Sequence, residues 1–215
     1  KLLNIGVKYV PRYDISFEPV RQCSREFKEA GDKLVIFSGV RFLYKTFPDG
    51  NEGYNKGNDK IIAGIAKYHK LNKNIIVHFV EKGEDVSSAK EMCQSLGLSD
   101  VVVWHREMKF KDLVDLYLNS DVCFDQTGCH WIGAIGGYAL WLGKPLIADD
   151  AAAVKAGIWP IDNPVCSANS AEDVCNWLIE LDSTVRRREI SNRSKIFVEK
   201  YMSPNMALDQ IFFDK

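Results

Sequence analysis

No run of apolar residues in this sequence is long enough to cross a bilayer. The opening, Lys1-Leu2-Leu3-Asn4, lacks the charged and apolar regions of a signal peptide. A cytoplasmic location is expected. Nor is there an excess of charge of one sign. The 28 Lys and Arg residues meet 29 Asp and Glu, for a formal net charge of −1. That excludes a broad basic face for nucleic acid, though a local cluster of cations remains open. The six cysteines (Cys23, Cys93, Cys123, Cys129, Cys166, Cys175) include no C-x-x-C pair and no second ligand at metal spacing. They read as reduced thiols, used mostly as small core residues, and no metal site is expected. Internal repeats and low-complexity tracts are also missing. The loop Gly39-Val40-Arg41-Phe42 lacks G-x-G-x-x-G, which ranks a dinucleotide-binding enzyme last.

What the 215 residues do contain is apolar material, 46% of the total, enough for a full core. It is arranged as short continuous runs alternating with helical spacing. Strands are expected at 34–38, 74–80, 101–104, 121–124, 145–148 and, shorter, 164–166. Helices are expected from Asp59 (Ile61, Ile62, Ile65, Ala66), over 87–96, around Leu113 to Tyr117, before Gly143, and over 172–181, 183–201 and 205–213. Continuous rather than alternating apolar runs fit strands covered on both faces. The alternation implies βαβ units, hence an α/β fold with a doubly wound parallel sheet. Residues 1–32 fit this rhythm poorly. They offer a candidate strand at Asn4–Val7 and a polar helix around Arg21 to Ala30, and read as a lead-in segment.

In such a sheet ligands bind beyond the C-terminal ends of the strands. Three loops there carry unusual residues. The first runs from Ser38-Gly39-Val40-Arg41 to Lys56-Gly57; the guanidinium of Arg41 suits a diphosphate, and Lys56 precedes a helix start. From spacing alone, solvated loop charges explain both equally well. The second holds Gly83, which permits a tight turn, followed by Glu84 and Asp85 at a helix start. The third is Asp125 to Tyr138, with His130 and with Gly133, Gly136 and Gly137 at the start of a helix. Gly133 suits an anion approaching backbone N–H groups, whereas Gly136 and Gly137 suit close helix packing. His69, His78 and His105 read as structural or exposed.

Taken together, Arg41, Lys56-Gly57-Asn58-Asp59, Gly83, Leu113…Tyr117…Asp121-Val122, Gly133 and Gly143-Lys144-Pro145-Leu146-Ile147-Ala148 resemble a known family. With the tail Phe197-Val198-Glu199-Lys200-Tyr201-Met202-Ser203, they are similar to the C-terminal domain of GT-B-fold retaining glycosyltransferases of the "glycosyl transferases group 1" type. The resemblance runs from about Leu34 to the C-terminus. It implies a Rossmann-like, nucleotide-sugar-binding domain over 33–201. Residues 202–215 would form a helix packing back toward an N-terminal acceptor domain that is missing here, and Tyr9 to Asp14 resembles the connection between the two.

The implied activity, in glycan biosynthesis, is metal-independent, retaining transfer from a nucleoside-diphosphate sugar to an acceptor hydroxyl, with no cofactor. Arg41 and Lys56 would neutralise the leaving diphosphate. Gly39, Gly83, Met108, Gly133, Ala134 and Ile135 would border the donor, with the N–H groups of 133–135 facing it, and Arg106, Glu107 and Met108 would lie near the base. The partners implied are the donor, an acceptor glycan and the second domain, which is also where any membrane contact would come from. In one respect the sequence departs from the family. Its two glutamates, eight residues apart, are replaced by His130 and Tyr138, which can offer hydrogen bonds to a sugar and a ribose but no carboxylate. A non-catalytic nucleotide- or sugar-binding module is the alternative this replacement favours.

Overall fold

The computed structural model describes residues 17–29, 31–128 and 132–202. The expected strand at Asn4–Val7, the helix at 205–213, Cys129 and His130 lie outside them. Six strands form one all-parallel sheet: β1 (Leu34–Ser38), β2 (Ile75–Glu81), β3 (Val102–Arg106), β4 (Val122–Phe124), β5 (Leu146–Ala148) and β6 (Cys166–Ser167). Their spatial order is β3-β2-β1-β4-β5-β6, so the direction of winding reverses between β1 and β4.

The continuous apolar runs are buried on both faces. In β1, Ile36 enters one core and its neighbour Phe37 the other; in β4, Val122 and Phe124 face the first and Cys123 the second. The first core lies under α1 (Asn58–Leu71), α2 (Val86–Ser95) and α6 (Ala171–Leu181). The second lies under α3 (Phe110–Leu118), α4 (Ala134–Trp141) and α7 (Thr184–Tyr201). Helices α1 and α6 approach closely at Gly64, where a Cβ would stand 2.4 Å from Val174 Cβ. The buried Lys144 joins α3 to α4, donating to the Leu118 carbonyl (2.9 Å) and the Ser120 carbonyl (2.8 Å). No described helix is long and apolar enough to cross a membrane. Cys93, Cys123, Cys166 and Cys175 are buried free thiols, and Cys23 is a half-buried one.

Two sequence expectations are corrected. The polar helix around Arg21 to Ala30 does not form: after a single 3-10 turn at Glu18–Val20, residues 24–29 are irregular. Tertiary anchors hold this stretch open. Arg25 donates to the carbonyls of Trp141 (2.8 Å) and Lys195 (3.1 Å), pairs with Glu199 and lies over the Trp141 ring. Glu29 accepts from the buried Arg187 (3.0 Å). Conversely, a short helix, α5 (Ala151–Lys155), forms where none was expected. The sheet's edges also shift: β3 begins one residue later than its apolar run, and β6 two residues later.

Candidate functional site

Three loops meet beyond the C-terminal ends of β1, β2 and β4, at the reversal of winding. The first follows β1. Val40, Phe42, Leu43 and Tyr44 are buried, which leaves Arg41 facing out and exposed. Its backbone is tied on both sides. Phe42 N–H donates to the Lys82 carbonyl (2.7 Å), and Asp85 N–H donates to the Phe42 carbonyl (3.1 Å). The buried Asp85 carboxylate then gathers three successive N–H groups through Oδ2: Tyr44 (2.6 Å), Lys45 (2.8 Å) and Thr46 (3.1 Å). Burial alone would push this carboxyl up, but these hydrogen bonds outweigh it and hold it below its ordinary value. Asp85 does stand before α2, yet its side chain makes no capping bond to that helix. Gly83 lies beneath the same loop at φ 109°, and a Cβ there would stand 2.3 Å from the Phe42 oxygen and 2.6 Å from Arg41 Cγ.

Lys56 lies at the far end of the same β1 loop, two residues before α1. Its N–H donates to the Leu43 carbonyl (2.8 Å), and its own carbonyl accepts from Thr127 N–H (3.0 Å). Gly57 takes φ 70° with Thr127 pressed against it: Thr127 Oγ1 donates to the Gly57 carbonyl at 2.8 Å, and a Cβ on Gly57 would lie 2.4 Å from that oxygen. The Lys56 ammonium is half-buried. Burial pushes its pKa down, Asp125 pulls it back up, and the nearby Arg41 lowers it again. Among the described residues, neither Arg41 nor Lys56 has an acidic partner within ion-pair distance.

The third loop leaves β4 at Asp125, a carboxylate that sequence reasoning passed over. It is 4% exposed. Its Oδ1 accepts from Gln126 N–H (2.8 Å); its Oδ2 accepts from Gly133 N–H (2.5 Å) and Gly136 N–H (3.2 Å). Asp125 thus caps α4 from outside the helix. Burial raises its pKa, against the pull of those three N–H groups and Lys56. The Gly133 N–H, expected to face a ligand, is therefore engaged inside the chain. Gly136 has its reason here too, since a Cβ would stand 2.6 Å from Asp125 Oδ2 and 2.5 Å from Ile132 Cγ2.

The loops enclose a cleft of about 270 Å³. Of the residues singled out from sequence, Gly39, Arg41, Lys56, Gly133 and Ile135 line it. Val40, Lys82, Asp125 and Gln126 complete the lining. Lys82 also pairs with Glu107 at 3.5 Å, in a solvent-exposed contact. Gly83 lies beneath Arg41 rather than in the lining. Ala134 is exposed on the first turn of α4, and Met108 is half-buried between β3 and α3. Tyr138, one turn beyond Ala134, stands edge-on to Phe110 with ring centroids 5.2 Å apart. These last three lie outside the lining. Among the described residues no three His, Cys, Asp or Glu side chains group as a metal site. The missed Asp125 had one sequence signal, an acidic residue ending an apolar strand run, and Lys82 had its place directly after β2.

No protein-family model matches the sequence, and no curated protein matches it. Solved structures do. TarM of S. aureus, solved with fondaparinux, alpha-GlcNAc-glycerol and UDP, superposes with a TM-score of 0.63 at 11% identity, covering 94% of this chain and 37% of its own. The C-terminal domain of the group 1 glycosyl transferase LpcC from Francisella tularensis gives 0.61 at 16% identity, covering 79% of this chain and 86% of that domain. HepE of Anabaena, solved with UDP and glucose, gives 0.65 at 14% identity over 85% of this chain and 48% of its own. The chain thus spans less than half the length of TarM and HepE, but most of an isolated C-terminal domain. Its fold is that of the C-terminal domain of GT-B glycosyltransferases.

Proposed function

We propose that this chain is the donor-binding domain of a glycosyltransferase and holds a nucleoside-diphosphate sugar in the cleft between the β1, β2 and β4 loops. One observation carries the reading: three cations, Arg41, Lys56 and Lys82, converge on a cleft at the reversal of winding. A half-buried ammonium and a guanidinium with no ion-paired acid among the described residues are costly to hold together, and a diphosphate relieves their repulsion. TarM and HepE, which share the fold, were solved with UDP.

In this reading Arg41 and Lys56 neutralise the diphosphate as the glycosyl–phosphate bond breaks, doing by side-chain charge what a metal does elsewhere. The acceptor hydroxyl arrives from a second domain and bonds to the anomeric carbon, its proton leaving to solvent or to the departing phosphate. The resemblance carries retention of configuration. By the resemblance, His130 would stand at a sugar hydroxyl and Tyr138 at a ribose hydroxyl. A non-catalytic binding module keeps one specific support: among the described residues the cleft's lining contains a single carboxylate, Asp125, already committed to α4.

Calorimetric titration of the 215-residue chain with UDP, GDP and ADP tests the proposal. One of them is expected to bind, and Arg41→Ala and Lys56→Ala are each expected to weaken it about tenfold or more, as for loss of a hydrogen bond to a charged group. Undiminished affinity in both variants refutes the assignment of the cleft. Anomeric analysis of the product made by the longer protein tests retention.

A further inference from the structure

We infer that Asp125 reads a hydroxyl group of the donor's sugar, supplying from the end of β4 the carboxylate that His130 and Tyr138 do not. The inference rests on the donor-domain reading above. Asp125 lines a cleft whose other charged side chains, among the described residues, are all cations. A ligand that were phosphate throughout would be repelled by it. A ligand that is anionic at one end and rich in hydroxyl donors at the other fits both halves: phosphates on Arg41, Lys56 and Lys82, and a hydroxyl on the carboxylate.

The geometry leaves room for that contact. Oδ2 already accepts two N–H groups from α4, whereas Oδ1 accepts one, from Gln126. A carboxylate oxygen has two lone pairs, so Oδ1 retains acceptor capacity. The N–H groups of Gly133 and Gly136 hold its other oxygen, which fixes the side chain's orientation. An acceptor so fixed discriminates between a hydroxyl and its absence, since only the hydroxyl adds a second, charge-assisted hydrogen bond to Oδ1. The same immobility separates this role from capping: Asp125 can cap α4 with Oδ2 and read a ligand with Oδ1.

The test compares two affinities in one protein. The unmodified chain and Asp125→Asn are titrated with UDP, GDP and ADP and with UDP-glucose, UDP-N-acetylglucosamine, GDP-mannose and ADP-glucose, with thermal melting as the control for folding. The expected result is a sugar conjugate that binds the unmodified chain about tenfold more tightly than its nucleoside diphosphate, an advantage that disappears in Asp125→Asn while the nucleoside diphosphate still binds. A purely structural role would weaken both ligands alike and leave their ratio unchanged. An unchanged ratio, or no sugar advantage in the unmodified chain, overturns the role of Asp125 and leaves the donor-domain reading standing. Failure of every nucleoside diphosphate to bind the unmodified chain overturns both. If Asp125→Asn does not fold, Asp125→Ser keeps one oxygen toward α4 and is read by the same ratio.

Discussion

Replacing Asp85 with Ala should damage the protein through the loop that carries Arg41. One carboxylate oxygen accepts the N–H groups of Tyr44, Lys45 and Thr46. Water can take over at Lys45 and Thr46, which are exposed, so little is lost there. Tyr44 is buried, and its N–H is left without an acceptor, at about 1–3 kcal/mol. Adding the lost advantage of a charged over a neutral acceptor, the total is about 2–4 kcal/mol. Because the Asp85 side chain does not cap α2, no helix term is added. Urea unfolding should show a lower midpoint with an unchanged slope.

The effect carries a pH signature. The folded carboxyl lies below its ordinary value of 3.8, so its contribution is complete above the unfolded pKa and is lost as the pH falls through the folded one. The stability gap between the native chain and Asp85→Ala should therefore be constant near neutrality and shrink below about pH 4. Nucleotide affinity should fall less than in Arg41→Ala, since the two backbone bonds around Phe42 survive. A midpoint within error of the native value, or a gap that widens as the pH falls below about 4, would refute the argument.

Arg41→Ala should leave the unfolding midpoint unchanged while reducing nucleoside-diphosphate affinity, because the exposed guanidinium has no acidic partner among the described residues; melting and calorimetry on the same sample check both halves. Gly57→Ala should destabilise by about 2 kcal/mol or more, combining a left-handed backbone with a collision against Thr127, as urea titration would show. Lys144→Met should cost about 2–4 kcal/mol by orphaning the Leu118 and Ser120 carbonyls, whereas Lys155→Met, on the short and exposed end of α5, should be neutral in the same assay. His78 and His105 share a hydrogen bond at 2.8 Å and both have pKa values lowered by burial. Stability should therefore be complete above the usual histidine value and decline as the pH falls below it, and His78→Gln should flatten that decline in pH-dependent melting.

The sheet was legible because its signal is local: runs such as Val35-Ile36-Phe37 and Val122-Cys123-Phe124 have no polar face to hide, so only strands covered on both sides suit them. The lead-in was not. Arg25 and Glu29 find their partners on α4 and α7, more than a hundred residues away, and no pattern around residue 25 announces them. The cleft divides in the same way. Arg41 and Lys56 stood out as charges beside glycines at strand ends and helix starts, and they do converge. Asp125 did not stand out, since an acidic residue after an apolar strand is common. What makes it exceptional is burial, which depends on how α4 returns to the sheet.

That return also changes what the glycines of α4 mean. A bare helix N-terminus with Gly133 and Gly136 is the usual preparation for an anion. Here the anion is part of the chain: the Asp125 carboxylate takes the Gly133 and Gly136 N–H groups, and Gly136 is required because any side chain would strike that carboxylate. A ligand's phosphate brought to the same spot would meet negative charge at close range. In the donor-domain reading the affinity for phosphate comes from Arg41, Lys56 and Lys82, and the described lining is polar in that sense: cations from the loops of β1 and β2, one carboxylate at the start of α4. A molecule with a diphosphate at one end and hydroxyls at the other can enter such a cleft in one direction only. Asp125→Asn should relax that constraint, so inorganic pyrophosphate is expected to bind the variant more tightly than the native chain. Weaker pyrophosphate binding by a folded variant would mean that the carboxylate organises the phosphate site instead of opposing it.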